Sequence, residues 1–409
     1  MFQRQGPSAY KADLSATRKV CEVLGNPESE LKFIHVAGTN GKGTVCHMVA
    51  SALQSAGRRV GLFTSPHLID FRERIRVNGA CISESSVVEF VRRWEDAGEA
   101  WGTPSFFELT FGMALDHFRR SKCDIVVLET GMGGRLDSTN VIPPPEVACV
   151  TNVGLDHQQF LGDDVRAIAR EKAGILKDGV PVVLGPMRPE AQSEVLSAAL
   201  RHSCEVHVAR DHETDMASWS GQIGSPVDRA NGSTAFAICH VLNLQGWTLS
   251  CDHIQEGILD HRRLTGQRGR WQFIELPGEA LIVLDGAHNL DGVSATCQAL
   301  SALLEQRGGR LHVVWGTVKD KNPLEIMMLL PKDAQFWWCA ADIPRAMTAN
   351  YVSNVRPELK GMALDSPVLA LEAALNAANA EDVVWVGGSL FVVGDVLRAA
   401  PAVWPEWPS

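Results

Sequence analysis

The feature that most constrains this chain is an apolar run that ends in a glycine-rich turn, FIHVAGTNGKGT, from Phe33 to Thr44. The apolar part predicts a strand, and the turn carries three glycines and one lysine: Gly38, Gly41, Gly43 and Lys42. Glycine lacks a Cβ and adopts positive φ readily, so backbone N–H groups in such a turn can approach phosphate oxygens closely. A helix predicted from Val45 to Ala56 would point its positive dipole end at the same place. The pattern predicts a phosphate-binding loop, with a plain strand-to-helix turn as the alternative.

Length and composition indicate a globular protein of two domains. The 409 residues exceed what a single core usually supports, and 45% of them are hydrophobic and 21% charged. A net charge of −10 gives no general attraction to nucleic acid or to an anionic membrane. The ten cysteines form no C-x-x-C pair, and the longest uncharged apolar stretch, Val383 to Gly394, has only twelve residues. We expect a cytoplasmic protein with no nucleic-acid or membrane partner.

Polar side chains follow three further predicted strands at the point where each strand ends. Ser65 follows the strand at 59–63, Glu129 closes the strand at 124–129, and His157 comes soon after the strand at 147–152. Ligands bind at the carboxyl ends of parallel strands, and an acid placed there beside a phosphate loop is a typical Mg²⁺ ligand. His157 is interpreted either as a ligand or as a structural histidine.

The order of the remaining elements predicts the fold class. A helix at 163–176 contains Lys172, whose plain interpretation is a solvated charge cluster, and residues 201–228 are polar and irregular. The alternation of strand and helix restarts at Leu281. We predict an α/β protein: a doubly wound, mostly parallel sheet domain with a P-loop, plus a smaller Rossmann-like α/β C-terminal domain. The predicted boundaries are 1–266 for the first domain, 267–272 for a linker and 273–409 for the second.

Two local patterns remain open at this stage. Arg72, Arg74 and Arg76 alternate with other residues ahead of Asn78-Gly79, which indicates either a hairpin with a charged outer face or a basic patch for an anionic substrate. Phe106 and Phe107 precede a helix and either belong to the core or line a flat, ring-shaped pocket.

Eight short motifs follow one another along nearly the whole chain: Gly38–Thr44, Thr64–Leu68, Glu129 with Gly131–Asp137, Leu155–His157, Glu171–Gly174, Gly269–Gln272, Asp285–Asn289 and Asp320–Asn322. Each motif alone is weak, but their order resembles the folylpolyglutamate synthase and dihydrofolate synthase family of the Mur ligase superfamily. The phosphate loop, which departs from the usual G-x-x-x-x-G-K-[ST] spacing, resembles that superfamily's version of the loop.

The resemblance implies a set of site residues. ATP would be held by Asn40, Gly41, Lys42, Gly43, Thr44, Asn231, Arg270 and Asp285. Two Mg²⁺ ions would be held by Ser65, Glu129, His157 and a carbamylated Lys172. The pterin substrate would lie near Phe106, Phe107, Leu136, Asp137 and Ser138. Catalytic roles would fall to Lys42, Lys172 and His288, the last as a candidate base.

The resemblance also implies an activity: a monomeric, ADP-forming ligase that joins L-glutamate to dihydropteroate, to reduced folates or to both, through an acyl phosphate. Its partners would be small molecules, namely pteroate or folate, L-glutamate and ATP. The alternative is a Mur-type ligase for another carboxylate acceptor, such as a peptidoglycan precursor. Those enzymes carry an extra domain ahead of the loop, for which the 37 residues before Gly38 leave no room. A GTP switch is disfavoured because the sequence has no Asn-Lys-x-Asp motif.

Overall fold

The predicted alternation of strands and helices builds two separate sheets. The structure is a computed structural model that describes residues 13–319 and 322–408. The described chain divides into two compact units: the first holds the residues up to Ile223 and Asp228–Gln267, and the second holds Gly224–Val227 and the residues from Arg268 onward. The chain therefore passes between units inside the predicted linker 267–272, and it also does so briefly at 224–227.

The sheet of the first unit explains why the strand ends meet. Its described strands are β1 (Phe33–Ala37), β2 (Val60–Phe63), β3 (Ile75–Val77), β4 (Ala80–Cys81), β5 (Ile125–Glu129), β6 (Val147–Val150), β7 (Val182–Leu184) and β8 (Val206–Val208). They lie in the order β4-β3-β2-β5-β1-β6-β7-β8. In the series β2-β5-β1-β6-β7-β8, each strand runs parallel to its neighbours. Strand β3 is antiparallel to both β2 and β4. The carboxyl ends of β2, β5, β1 and β6 are thus adjacent at one edge.

Helices cover both faces of this sheet, as a doubly wound fold requires. They are α1 (Ser15–Val23), α2 (Lys42–Ser55), α3 (Glu84–Asp96), α4 (Phe106–Arg120), α5 (Gln158–Leu161), α6 (Val165–Ala173), α7 (Pro189–Arg201), α8 (Pro226–Leu244), α9 (Cys251–Leu259) and α10 (His261–Thr265). Alternate residues of β1 enter different cores: Ile34 and Val36 pack with residues of α2, α8 and α9, whereas Phe33 packs with residues of α1 and α4. The central strand is therefore apolar on both sides.

The second unit is a smaller sheet with a tryptophan-rich core. Its strands are β9 (Gln272–Ile274), β10 (Leu281–Leu284), β11 (Leu311–Trp315), β12 (Gln335–Trp338), β13 (Gly361–Ala363) and β14 (Val383–Gly387), and its helices are α11 (Leu290–Arg307), α12 (Pro323–Met327), α13 (Ala349–Val355), α14 (Pro367–Ala377) and α15 (Leu390–Val403). The strand order is β13-β12-β11-β14-β10-β9, and of the paired neighbours only β9 and β10 are antiparallel. Trp315, Trp338 and Trp385 are fully buried. The predicted fold class is confirmed for both units.

Three local predictions need correction. The helix after the phosphate loop begins at Lys42, three residues earlier than predicted. The stretch 201–228 contains β8 and the start of α8, which its polar composition concealed. Asn78 and Gly79 form the predicted hairpin turn with φ of 46° and 77°, but Arg74 is buried rather than on a charged outer face.

Two residues of the last motif, Asp320 and Lys321, lie outside the described residues. None of the described helices combines the length and hydropathy needed to cross a lipid bilayer.

Candidate active site

The loop after β1 is held in place by the residues that end β6. Thr39 N–H donates to Asn152 O at 2.9 Å, and Asn40 N–H donates to Asn152 Oδ1 at 2.7 Å. Thr151 Oγ1 donates to Asn40 O at 2.7 Å. Thr151 and Asn152 belong to none of the sequence motifs, although both are polar residues at the end of a strand that neighbours β1. These bonds define the shape of the loop.

Two of the loop glycines are required by their surroundings. A Cβ on Gly38 would lie 2.0 Å from Thr151 Oγ1, and a Cβ on Gly41, which has φ of +81°, would lie 2.3 Å from Asn231 Oδ1. Gly43 differs, because it is helical and a Cβ there would meet Glu129 Oε1 at an ordinary 3.5 Å. The prediction of backbone freedom is therefore right for Gly38 and Gly41 and wrong for Gly43.

Helix α2 starts at this loop with an open N-terminus. Its N-cap is Gly41, no side chain among the described residues caps it, and its first turn holds no acidic residue. The N–H groups of a first helical turn have no partner inside the helix and carry a partial positive charge. Such an end favours an anion. Thr44, in the same turn, accepts a hydrogen bond at its hydroxyl from Gln267, a residue that the sequence analysis missed.

Two lysine side chains converge on the loop carbonyl of Gly38. Lys42 Nζ donates to Gly38 O and to Thr39 O, each at 3.1 Å, and Lys172 Nζ donates to Gly38 O at 2.6 Å. Lys172 is only 4% exposed, so its interpretation as part of a solvated charge cluster is wrong. Burial, followed by the nearby charge of Lys42, lowers the pKa of Lys172 to about 7. Two amines therefore lie within hydrogen-bond distance of the same loop carbonyl.

Glu129 and Ser65 come together beside the first turn of α2. Glu129, which is 5% exposed, accepts a hydrogen bond at Oε2 from Ser65 N–H at 2.8 Å. The register of the sheet places Glu129 opposite Val36 of β1. Its carboxylate consequently lies beside Gly43 in the first turn of α2. An acid next to an anion-binding helix end is a position suited to a bridging cation.

The segment that contains His157 is joined to the phosphate loop through Thr39. The Thr39 hydroxyl donates to Gly154 O at 3.1 Å and accepts from Gly154 N–H at 3.0 Å. His157 is exposed, has φ of +51° and stands at the N-cap of α5, with its N–H bonded to Asp156 Oδ1. Among the described residues, no three His, Cys, Asp or Glu side chains converge as a closed metal site. A cation here would need ligands from a bound molecule as well.

The aromatic pair at the start of α4 is tied to the core and to Arg74. Phe106 is buried, with the Arg74 guanidinium 5.3 Å from its ring centroid, and Phe107 meets Phe63 edge-on at 5.8 Å. Arg74 Nε donates to His67 Nδ1 at 2.8 Å, and burial lowers the pKa of Arg74 to about 10. Phe106 and Phe107 therefore pack as core residues, which was the first of the two interpretations. Arg74 and His67 form a polar pair beside them.

The loop 131–138 is fixed from inside the protein. Asp137 accepts from Met132 N–H at 2.8 Å and from Thr139 N–H and Oγ1 at 3.0 and 2.5 Å, and His35 Nε2 contacts the same hydroxyl at 2.8 Å. Burial raises the pKa of Asp137, while these hydrogen bonds oppose the shift. Leu136 and Ser138, its neighbours, are half-buried. The Asp137 carboxylate thus organises the loop.

The motif Glu171–Gly174 has a packing role that its spacing alone did not reveal. A Cβ on Gly134 would lie 2.7 Å from Lys172 O, and a Cβ on Gly174 would lie 2.3 Å from the Arg135 Cβ. Arg135 also forms an ion pair with Glu171 at 2.8 Å. The two glycines allow loop 131–138 and the end of α6 to approach closely enough to place Lys172 at Gly38.

Arg270, Asp285 and His288 lie in the second unit. Asp285 accepts from Trp271 N–H at 2.8 Å, Ala287 N–H at 3.0 Å and Thr296 Oγ1 at 3.1 Å, so it joins the segment of Arg270 to the loop after β10. His288 Nδ1 lies 2.8 Å from Gly286 O. A carbonyl only accepts, so Nδ1 carries the proton and Nε2 is the basic nitrogen of the neutral ring.

Comparison with protein families matches two parts of the chain. Residues 36–184 match the Mur ligase middle domain, and residues 269–390 match the Mur ligase glutamate ligase domain. The first match contains the phosphate loop, Glu129, His157 and Lys172. The second contains Arg270, Asp285 and His288.

Among curated proteins, the chain is 30% identical to the dihydrofolate synthase/folylpolyglutamate synthase of Bacillus subtilis, over 95% of both chains. It is 33% identical to a probable bifunctional folylpolyglutamate synthase/dihydropteroate synthase of Haloferax volcanii, of which it spans 48%. The alignment covers 94% of this chain, so the chain corresponds to about half of that longer protein.

Solved structures give the same relationship. Escherichia coli FolC in complex with DHPP and ADP has a TM-score of 0.83 and 28% identity, over 97% of this chain and 95% of that one. A bifunctional folylpolyglutamate synthase/dihydrofolate synthase from Yersinia pestis, complexed with AMPPNP and Mn ion, has a TM-score of 0.82 and 28% identity over the same shares.

Proposed function

The chain belongs to the dihydrofolate synthase/folylpolyglutamate synthase family, and from that premise we propose that it joins L-glutamate to dihydropteroate and to reduced folates, with ATP converted to ADP and phosphate. The observation that carries the proposal is the convergence of Lys42 and Lys172 on Gly38 O beside the uncapped N-terminus of α2. We further propose domain boundaries of 1–266 and 273–409 and a monomeric enzyme.

The phosphate loop fits a triphosphate. Its glycines leave no room for a Cβ at Gly38 or Gly41, and the first turn of α2 presents N–H groups without a side-chain cap. Lys42 supplies a point charge that can turn from the loop carbonyls to phosphate oxygens. We propose that residues 40–44 and Asn231 hold ATP and that Arg270 and Asp285 are also nucleotide contacts.

The residues around Glu129 fit a divalent cation that is bound together with phosphate. Mg²⁺ is usually held by one or two carboxylates plus substrate phosphates, and Glu129 is a buried carboxylate beside the helix end that receives the phosphates. Ser65 and His157 would complete the first set of ligands. The cation would neutralise charge that develops on the transferred phosphoryl group.

Lys172 fits a carbamate because its amine is buried and its pKa is lowered to about 7. Only a neutral amine attacks carbon dioxide, and an amine with that pKa is largely neutral slightly above neutral pH. The product carries a negative charge and keeps one N–H for Gly38 O. We propose that it replaces an ammonium that would repel a second Mg²⁺ with an oxygen ligand.

The reaction has to overcome the low reactivity of a carboxylate toward an amine. The acceptor carboxylate oxygen bonds to the γ-phosphorus while the bond from that phosphorus to the β,γ-bridging oxygen breaks, which releases ADP. The amino group of glutamate then bonds to the acyl carbon, and phosphate leaves with its electron pair. Lys42 stabilises the charge on the transferring group, and Nε2 of His288 is the proposed acceptor of the amine proton.

The second candidate function is a Mur-type amino-acid ligase with another carboxylate acceptor. It is favoured by the two matched models, which are both named for Mur ligases. The two candidates use different carboxylate acceptors, so an acceptor panel separates them.

The test incubates the pure protein with ATP, Mg²⁺ and L-glutamate, and with dihydropteroate, tetrahydrofolate or a UDP-muramoyl acceptor. Released phosphate and the mass of the product are measured, with Lys42→Ala as the inactive control. We expect phosphate release and a gain of one glutamate with both pterin acceptors. Phosphate release with the UDP-muramoyl acceptor alone would support the second candidate and overturn the first.

A further inference from the structure

A buried glutamine contacts the phosphate-loop helix at the point where the chain leaves the first unit. Gln267, which is 6% exposed, donates from Nε2 to Thr44 Oγ1 at 2.9 Å. It is the last residue of the first unit, and Arg268 begins the second. No motif in the sequence points to Gln267.

A second hydrogen bond connects the same two segments. His47 Nδ1 lies 2.8 Å from Thr265 Oγ1, and Thr265 donates to His261 O at 2.5 Å, so His47 is the donor in the first pair. Thr44 and His47 are three residues apart and share one face of α2. The segment 261–267 is therefore attached to the first turns of α2 at two points.

The amide oxygen of Gln267 is buried beside α2. Within residues 13–319 and 322–408, neither Gln267 Oε1 nor His261 Nε2, both buried, has a hydrogen-bond partner. His261 Nδ1 lies 2.8 Å from Ile258 O, so Nδ1 carries the proton and Nε2 is an acceptor. Burial lowers the pKa of His261 to about 4, so the ring is neutral at neutral pH and Nε2 stays an acceptor.

Rotation of the amide by half a turn would bring Oε1 to the position that Nε2 holds beside Thr44. Oε1 would then accept the Thr44 hydroxyl proton. In the observed orientation the Thr44 oxygen accepts from the amide, so its proton is directed elsewhere. The orientation of one amide thus decides whether the Thr44 hydroxyl can donate to a ligand of the phosphate loop.

We propose that Gln267 is a positioning residue that holds the Thr44 hydroxyl as a hydrogen-bond donor to the bound nucleotide phosphate. The inference rests on the proposed nucleotide site and adds a residue that acts on it through Thr44. The amide orientation in which Nε2 faces Thr44 is the ligand-binding one, and the rotated orientation, in which Oε1 captures the Thr44 proton, competes with it.

The test is a double-mutant cycle on nucleotide affinity. Binding of AMPPNP with Mg²⁺ is measured by calorimetry for the wild type, Gln267→Glu, Thr44→Val and the double variant, with thermal unfolding of each. The introduced carboxylate only accepts, so it captures the Thr44 proton permanently. Gln298→Glu, at an exposed glutamine on α11, is the control for the added charge.

We expect Gln267→Glu and Thr44→Val each to weaken AMPPNP binding roughly tenfold, the effect of one lost hydrogen bond to a charged group. The double variant should bind as weakly as Thr44→Val alone, with Gln298→Glu like the wild type. Two results would overturn the role of Gln267. One is a loss of AMPPNP affinity in the double variant equal to the product of the two single losses, and the other is an unchanged affinity in Gln267→Glu. A wild type that binds no AMPPNP would overturn the nucleotide site itself.

Discussion

Replacement of Lys172, a buried lysine in the candidate site, tests the proposed carbamate. The Lys172 amine is 4% exposed, donates to Gly38 O at 2.6 Å and has its pKa lowered to about 7. At pH 8 roughly nine-tenths of such an amine is neutral, whereas an ordinary lysine, with a pKa of about 10.4, is less than about 1% neutral. The site therefore offers roughly two hundred times more reactive amine for carbamylation.

We expect Lys172→Ala to lose roughly a hundredfold or more in turnover, because the proposed carbamate contributes several kcal/mol of charge stabilisation through the metal it holds. Its fold should change little, since Lys172→Ala removes the single hydrogen bond to Gly38 O together with the buried polar group that makes it. Added acetate should restore part of the activity of Lys172→Ala. Lys172→Arg should stay inactive with acetate, because the guanidinium fills the space and keeps its charge.

The assay is glutamate-dependent phosphate release, with and without acetate, alongside thermal unfolding of each variant. Carbon NMR after addition of labelled bicarbonate provides a second readout, in which the wild type gives a carbamate signal that Lys172→Ala lacks. Normal turnover of Lys172→Arg would refute the reasoning, since an arginine cannot form the carbamate.

Three further outcomes follow from single contacts. Gly41→Ala should destabilise the first unit by about 1–3 kcal/mol in chemical unfolding, because φ is +81° and a Cβ would lie 2.3 Å from Asn231 Oδ1; unchanged stability would contradict this. Burial lowers the pKa of His35 to about 3. The unfolded state then binds more protons between pH 6.5 and 3, so acidification in that window should destabilise the wild type more than His35→Gln, by up to about 4–5 kcal/mol. If the free energy of unfolding fell equally with pH in the wild type and in His35→Gln, this prediction would be wrong. Asp285→Asn should destabilise the second unit by about 1–3 kcal/mol, because the carboxylate accepts from Trp271 N–H, Ala287 N–H and Thr296, and an amide cannot accept all three. An unaltered unfolding curve would show that these bonds are dispensable.

The elements that depend on residues adjacent in the chain could be predicted from the sequence. Apolar runs such as 33–37 and 125–129 predict buried parallel strands, and the Asn78-Gly79 pair predicts the hairpin turn, because each depends on residues adjacent in the chain. Strand β8 was missed, since its pattern is short and half-exposed and it is stabilised by pairing with β7. Its formation depends on a neighbour that only the fold provides.

In the candidate site, too, residues with a local sequence signal were predicted and contacts between distant residues were not. Lys42 and Glu129 were identified because one lies in a glycine-rich turn and the other ends a buried strand. The burial of Lys172 and its contact with Gly38 were not predicted, because 134 residues separate the two in the chain. Gln267 and Thr44 are farther apart, at 223 residues. Contacts of that kind come from the packing of α6 and α10 against the loop.

The central claim is that the acceptor carboxylate is activated by phosphorylation before glutamate attacks it. The most direct measurement uses dihydropteroate with ¹⁸O in its carboxylate, together with ATP, Mg²⁺ and L-glutamate, and determines the mass of the released phosphate. The account predicts one ¹⁸O atom in phosphate for each amide bond formed, because the carboxylate oxygen leaves with the phosphoryl group. Amide formation accompanied by phosphate that carries no ¹⁸O would contradict it.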